Sequence, residues 1–216
     1  MTARFYFPAH WTAAETAAPE PVVDPHRIGH LVNGFIAAKQ DALFEAPDAF
    51  YRRKSGDAVA AAPALAERLS ELRDAALEQA PEHERPALAA QLDAQMADAL
   101  DGMERHLGEQ RTQHAREVMT ERMRLIERAA TLEHNNEDKL AGLTAANAGV
   151  AEMLARLNGE PVEPAMQAAR SAVWRNAIVQ RVAAGQESKA QSLFDRIKGE
   201  LVPADVDALK APDVQE

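Results

Sequence analysis

The sequence predicts an all-α fold: an elongated helical bundle around one very long helix, with a C-terminal helical hairpin. Three observations carry this. Apolar positions recur in steps of three and four almost everywhere, the period of an amphipathic helix, and no alternating strand pattern competes with them. Alanine dominates an apolar set of 46%, while aromatics make up only 5%. Alanine is the best helix former and lets helices approach closely. From Pro86 to Glu133 no further proline interrupts the chain.

Residues 1–25 differ from the rest. Phe5, Tyr6, Phe7 and Trp11 crowd together, and Pro19, Pro21 and Pro25 follow. Prolines at this density oppose helix, so the segment reads as an extended arm. Clustered aromatics of this kind anchor on partner surfaces, which makes these four the candidate partner-binding residues. The alternatives are an arm folded onto its own helices or a frayed terminus.

An elongated bundle is expected over 26–160. A first helix covers His26–Phe44, with Ile28, Leu31, Val32, Phe35, Ile36 and Leu43 as its stripe, and Pro47 interrupts it. A short turn holds Phe50 and Tyr51, and Gly56 marks a bend. A second helix is expected to begin at Pro63, since proline favours the first helical position, and to stop near Pro81.

The long helix follows, from about Pro86 to Glu133. Its apolar seam runs through Leu88, Leu92, Met96, Leu100, Met103, Leu107, Val118, Leu125, Ala129 and Leu132. Gly102 and Gly108 each cost about 1 kcal/mol against alanine in a helix. A helix this long needs neighbours along its length, from its own chain or from other subunits. The middle of the seam is polar from Gly108 to His114; it is either a polar insertion that weakens packing and fixes register or, in preference, an uncovered section of rod. Asn135-Asn136 then Glu137-Asp138 breaks and recaps the chain, and the next helix ends at Asn158-Gly159 before Pro161.

Residues 161–216 form the expected hairpin. One helix runs from about Pro164 to Ala184, Gly185-Gln186 turns the chain, and the return helix carries Ala190, Leu193, Phe194, Ile197 and Leu201. A short third piece follows Pro203.

Composition removes several chemistries. Without cysteine there is no disulfide, thiolate metal site or thiol nucleophile. A net charge of −10 opposes coating of bare DNA through bulk electrostatics. Nothing resembles a transmembrane span, and Met1–His10 lacks the apolar core of a secretory signal. No phosphate-cradling glycine loop is present. His26 and His30 lie one turn apart without the further ligands a metal needs. Glu187-Ser188 matches one short pair of lytic transglycosylases, whose other motifs are missing. The expectation is a protein that is not an enzyme, with no cofactor, metal or small-molecule substrate.

The nucleic-acid candidate is Phe50-Tyr51-Arg52-Arg53-Lys54, where Arg52, Arg53 and Lys54 could pair phosphates beside stacking aromatics. Set against it is a solvated positive turn next to a buried aromatic. Arg111, Arg116, Arg122, Arg124 and Arg128 spread around the long helix and form no stripe.

The pattern resembles a helical segment of bacteriophage internal virion proteins, also called ejection or DNA-transfer proteins. The matching features are Phe50-Tyr51 with Gly56-Asp57-Ala58, the polar His106 to Gln110 step on a long helix, and a hairpin reading Ser171-Ala172-Val173-Trp174, Ala183-Ala184-Gly185, Ala190 and Phe194. They span roughly 45–210. The resemblance implies a structural virion protein, made in the host cytoplasm, acting in genome packaging or ejection. Its implied partners are other copies of itself and portal or internal virion proteins, with DNA contact possible in principle. The competing reading is a helical adaptor that binds a partner through the hairpin, with Trp174, Phe194 and Ile197 lining a groove; set against it, and preferred, is Trp174 as a core residue.

Overall fold

The structure, a computed structural model, describes residues 22–210. Seven α-helices and two short non-α turns make up most of the described residues, and no strand occurs among them. The helices are α1 (Pro25–Gln40), α2 (Ser55–Glu78), α3 (Arg85–Leu132), α4 (Glu137–Asn158), α5 (Val162–Ala183), α6 (Glu187–Ile197) and α7 (Pro203–Lys210). The 48 residues of α3 run without a break through Gly102 and Gly108. At 1.5 Å per residue α3 is about 70 Å long.

Local chemistry explains where α1 and α4 start and where α4 stops. The Asp24 carboxylate caps α1, accepting the backbone N–H of His26 at 2.9 Å and of Arg27 at 3.4 Å. A π-helical turn, Asp41–Glu45, extends α1 to the edge of Pro47. Buried Glu84 precedes α3 and accepts the Asp24 N–H at 3.0 Å, fastening the start of α1 to the start of α3. Asn136 caps α4 through the Lys139 N–H. Gly159, at φ 70°, closes α4 in the left-handed conformation that only glycine adopts freely.

Two sequence expectations are corrected at α2. The helix begins at Ser55, so Pro63 lies inside it and Gly56 sits in its first turn instead of at a bend. The reason is tertiary. Gln110 of α3 accepts the Ser55 N–H at 2.6 Å, and the Ser55 hydroxyl donates to Glu117. Ala58 is fully buried one turn on. These contacts hold eight residues in helix ahead of the proline. They do so although Pro63 leaves the Val59 carbonyl without its helical donor.

The same contacts correct the reading of the polar middle of α3. Gln110 is buried, because α2 begins against it. The stretch is therefore partly covered, and its polar side chains serve the end of another helix.

Three apolar clusters lie along α3. The first joins Ile28, Val32 and Phe35 of α1 to Ala76 of α2 and to Leu88 and Leu92. The second joins Leu43, Phe50, Leu65 and Leu69 to Met103 and Leu107. The third joins Ala130 and Leu140 to Val173, Trp174, Phe194 and Ile197, so the hairpin shares its core with the end of α3. Along α3 the buried face changes after Leu107. Beyond that point Ile126 and Ala130 face inward, while Val118, Leu125 and Leu132 are 53%, 56% and 76% exposed. The seam read from sequence thus continues on the solvent side of the helix.

Candidate functional site

The Phe50–Lys54 segment is a 3-10 turn at Phe50–Arg52 followed by an extended link into α2. Phe50 points into the core, edge-on to Tyr51 with ring centres 5.6 Å apart and to His106 at 5.3 Å. Phe44 stacks on Tyr51 at 4.8 Å. Burial raises the Tyr51 phenol above its ordinary range. These faces are engaged inside the chain, so the aromatic half of the base-stacking idea rests on Phe44, which is exposed. Arg52 and Lys54 are exposed, and Arg53 is half-buried. Arg53 donates to the Asp48 carbonyl at 3.0 Å and to its carboxylate at 3.4 Å. A concavity of about 530 Å³ beside them balances Arg52 and Arg53 against Asp48 and Asp57.

Next to this turn lies a grouping the sequence did not suggest. Ser55 has a φ of 51°, a left-handed backbone for a residue with a side chain. Its hydroxyl donates to Glu117 and lies 3.4 Å from His114 Nδ1. The His114 ring covers Gly56, where a Cβ would come within 3.0 Å of it. Ser55, and after it the Gln113 amide, hold the Glu117 carboxyl below its ordinary range. A serine nucleophile needs an imidazole base oriented by an acid on its other nitrogen. Here the serine hydroxyl donates its hydrogen bond to the carboxylate, and the contact ties the first residue of α2 to α3. Ser55 lies 59 positions from His114 and 62 from Glu117 in the chain, and no sequence signal could have joined them.

The other sequence candidates fall as follows. Phe5, Tyr6, Phe7 and Trp11 lie outside the described residues. Trp174, Phe194 and Ile197 are buried in the core, with the Trp174 indole N–H donating to Glu200 at 3.3 Å. His26 and His30 are exposed, and among the described residues no three potential metal ligands of the His, Asp or Glu type stand together. Glu187 and Ser188 are exposed in the first turn of α6. Among the described residues no helix is long and apolar enough to cross a membrane.

The fold defines an all-α protein organised on one long helix. No family model, curated protein or solved structure matches the chain significantly.

Proposed function

We propose that this chain is a non-enzymatic structural component of a tailed-phage particle, a helical assembly element in genome packaging or ejection. The observation that supports it best is the outer face of α3. Val118, Leu125 and Leu132 stand exposed at seven-residue intervals on a helix of 48 residues. That is the spacing of a coiled-coil seam. The occupant we assign to it is another copy of the chain, packed laterally as repeated subunits of a ring or tube would be. The resemblance of the 45–210 region to internal virion proteins supplies the particle. Virion localisation and contacts with portal or internal proteins are part of this reading.

Light scattering combined with small-angle scattering tests it. The reading expects a defined oligomer that Leu125→Lys dissolves without loss of helicity. A compact monomer at high concentration would sink it and move the adaptor reading forward. An adaptor would then have to use exposed hairpin residues such as Val179 and Val182, since Trp174 is core.

A further inference from the structure

One concavity has a different chemistry from the rest of this acidic chain. It lies where the turn between α3 and α4 meets the start of α6, and its volume is about 430 Å³. Arg181, Lys189 and Arg196 line it, against the single carboxylate of Glu137. One oxygen of Glu137 serves both guanidinium groups, 2.6 Å from Arg196 and 3.6 Å from Arg181. The Lys189 ammonium has no hydrogen-bond or ion-pair partner among the described residues. The concavity therefore holds an excess of positive charge in a chain whose formal charge is −10.

Arg181 is fixed in place. It is 4% exposed, and it donates to the His134 carbonyl at 2.8 Å and the Lys189 carbonyl at 3.3 Å. A buried cation so held cannot swing into water to find a counter-ion, and one shared carboxylate leaves its charge incompletely matched. Ser188 and Ser192 stand one turn apart on α6 and line the same space. Among the described residues neither hydroxyl has a hydrogen-bond partner. Helices α4 and α6 both begin here, so the positive ends of two helix dipoles add to the side-chain field. Hydroxyl donors, an ammonium and guanidinium groups around one concave space suit a compact anion with several acceptor oxygens.

We propose that this concavity binds a phosphate dianion, free or as the terminal group of a phosphomonoester. The charge excess matches a dianion. The donors approach from α5 and from α6, with the α3–α4 turn closing the third side, which suits a terminal group better than a strand passing through. Occupancy would tie α6 to the end of α3 and stabilise the hairpin by mass action. This inference is independent of the virion reading, since it requires neither self-association nor a particle.

The test is calorimetric titration of the full chain with inorganic phosphate near neutral pH in about 0.15 M salt. The Arg181 Nε–H resonance is followed in parallel by NMR. We expect saturable binding of one phosphate, a shift of that resonance and a rise in melting temperature. Lys189→Ala and Ser192→Ala change exposed side chains of α6. Lys189→Ala should weaken binding about tenfold, Ser192→Ala by less, both with unaltered melting in the absence of phosphate. A nucleoside monophosphate should compete. Absence of saturation up to tens of millimolar phosphate would overturn the assignment, as would unchanged affinity in Lys189→Ala. Equal competition by an oligonucleotide lacking terminal phosphates would overturn it too, by making the site a reader of diesters. Equal suppression of the signal by chloride would reduce it to general screening and end the proposal.

Discussion

The phenol oxygen of Tyr51 rests against the backbone of Gly102, so closely that a Cβ on Gly102 would lie 2.7 Å from it. The long helix carries a glycine there because the aromatic turn packs down onto it. Gly102→Ala should therefore destabilise the protein by about 1 kcal/mol, the overpacking penalty exceeding the gain in helix propensity. In a Tyr51→Phe background the same change should become neutral or favourable. Gly108 has open space where a Cβ would go, so Gly108→Ala should stabilise by up to about 1 kcal/mol. Chemical denaturation of the four variants decides this. Equal effects of alanine at the two glycines would show that Tyr51 is not the cause.

Gln110 caps α2 from a different helix. Gln110→Ala leaves the Ser55 N–H without its acceptor, and a loss of about 1–2 kcal/mol should follow. Hydrogen exchange should quicken from Ser55 to Ala58 while the remainder of α2 keeps its protection. Unchanged exchange there would mean that α2 needs no cap from α3.

Pro63 is exposed inside α2 and leaves the Val59 carbonyl unpaired in the helix. Pro63→Ala restores that bond and removes the ring clash. Thermal melting should show a gain of about 1–3 kcal/mol. A neutral result would mean that the helix has already relaxed around the ring.

Ser171 fastens α7 to α5. Its buried hydroxyl donates to Asp205 at 2.5 Å and accepts the Val202 N–H at 3.0 Å, while Arg175 reaches the other Asp205 oxygen at 2.9 Å. Ser171→Ala strands one buried acceptor and one donor and should cost about 1–3 kcal/mol. Limited proteolysis should then cut first near α7. Cleavage beginning elsewhere would assign the docking of α7 to its apolar contacts.

Glu137 gives the pH dependence a sign. Arg196, and with it Arg181, holds the Glu137 carboxyl below its ordinary range. A depressed folded-state value contributes stability above the unfolded value and loses it as pH falls through the folded one. The contribution should be complete at neutral pH and fade on acidification below the usual glutamate range. Glu137 is half-exposed, so screening keeps the effect under about 1 kcal/mol. Glu137→Gln should be less stable than the parent at neutral pH and equal to it in strong acid. A difference that persists in acid would reject the ion pair as its source.

The sequence by itself determined the helical class and the presence of a long helix, because these rest on the 3.6-residue period and on where proline falls, while the unbroken course of that helix through Gly102 and Gly108 was decided by the packing around it. It also placed the Asn136 cap, the Gly159 stop and the turn at Gly185, each a local backbone requirement that neighbouring residues report. Tertiary structure decided what depends on residues far apart. Gln110 and Glu117 moved the start of α2 eight residues ahead of Pro63, against local propensity. The packing of α4 and the hairpin turned Ile126 and Ala130 inward and left Val118, Leu125 and Leu132 outside, although both sets share helical spacing. The concavity of Arg181, Lys189 and Arg196 is completed by Glu137, 59 positions before Arg196. Periodicity reports that a helix has an apolar face, but which face meets a neighbour is settled only when the other helices dock.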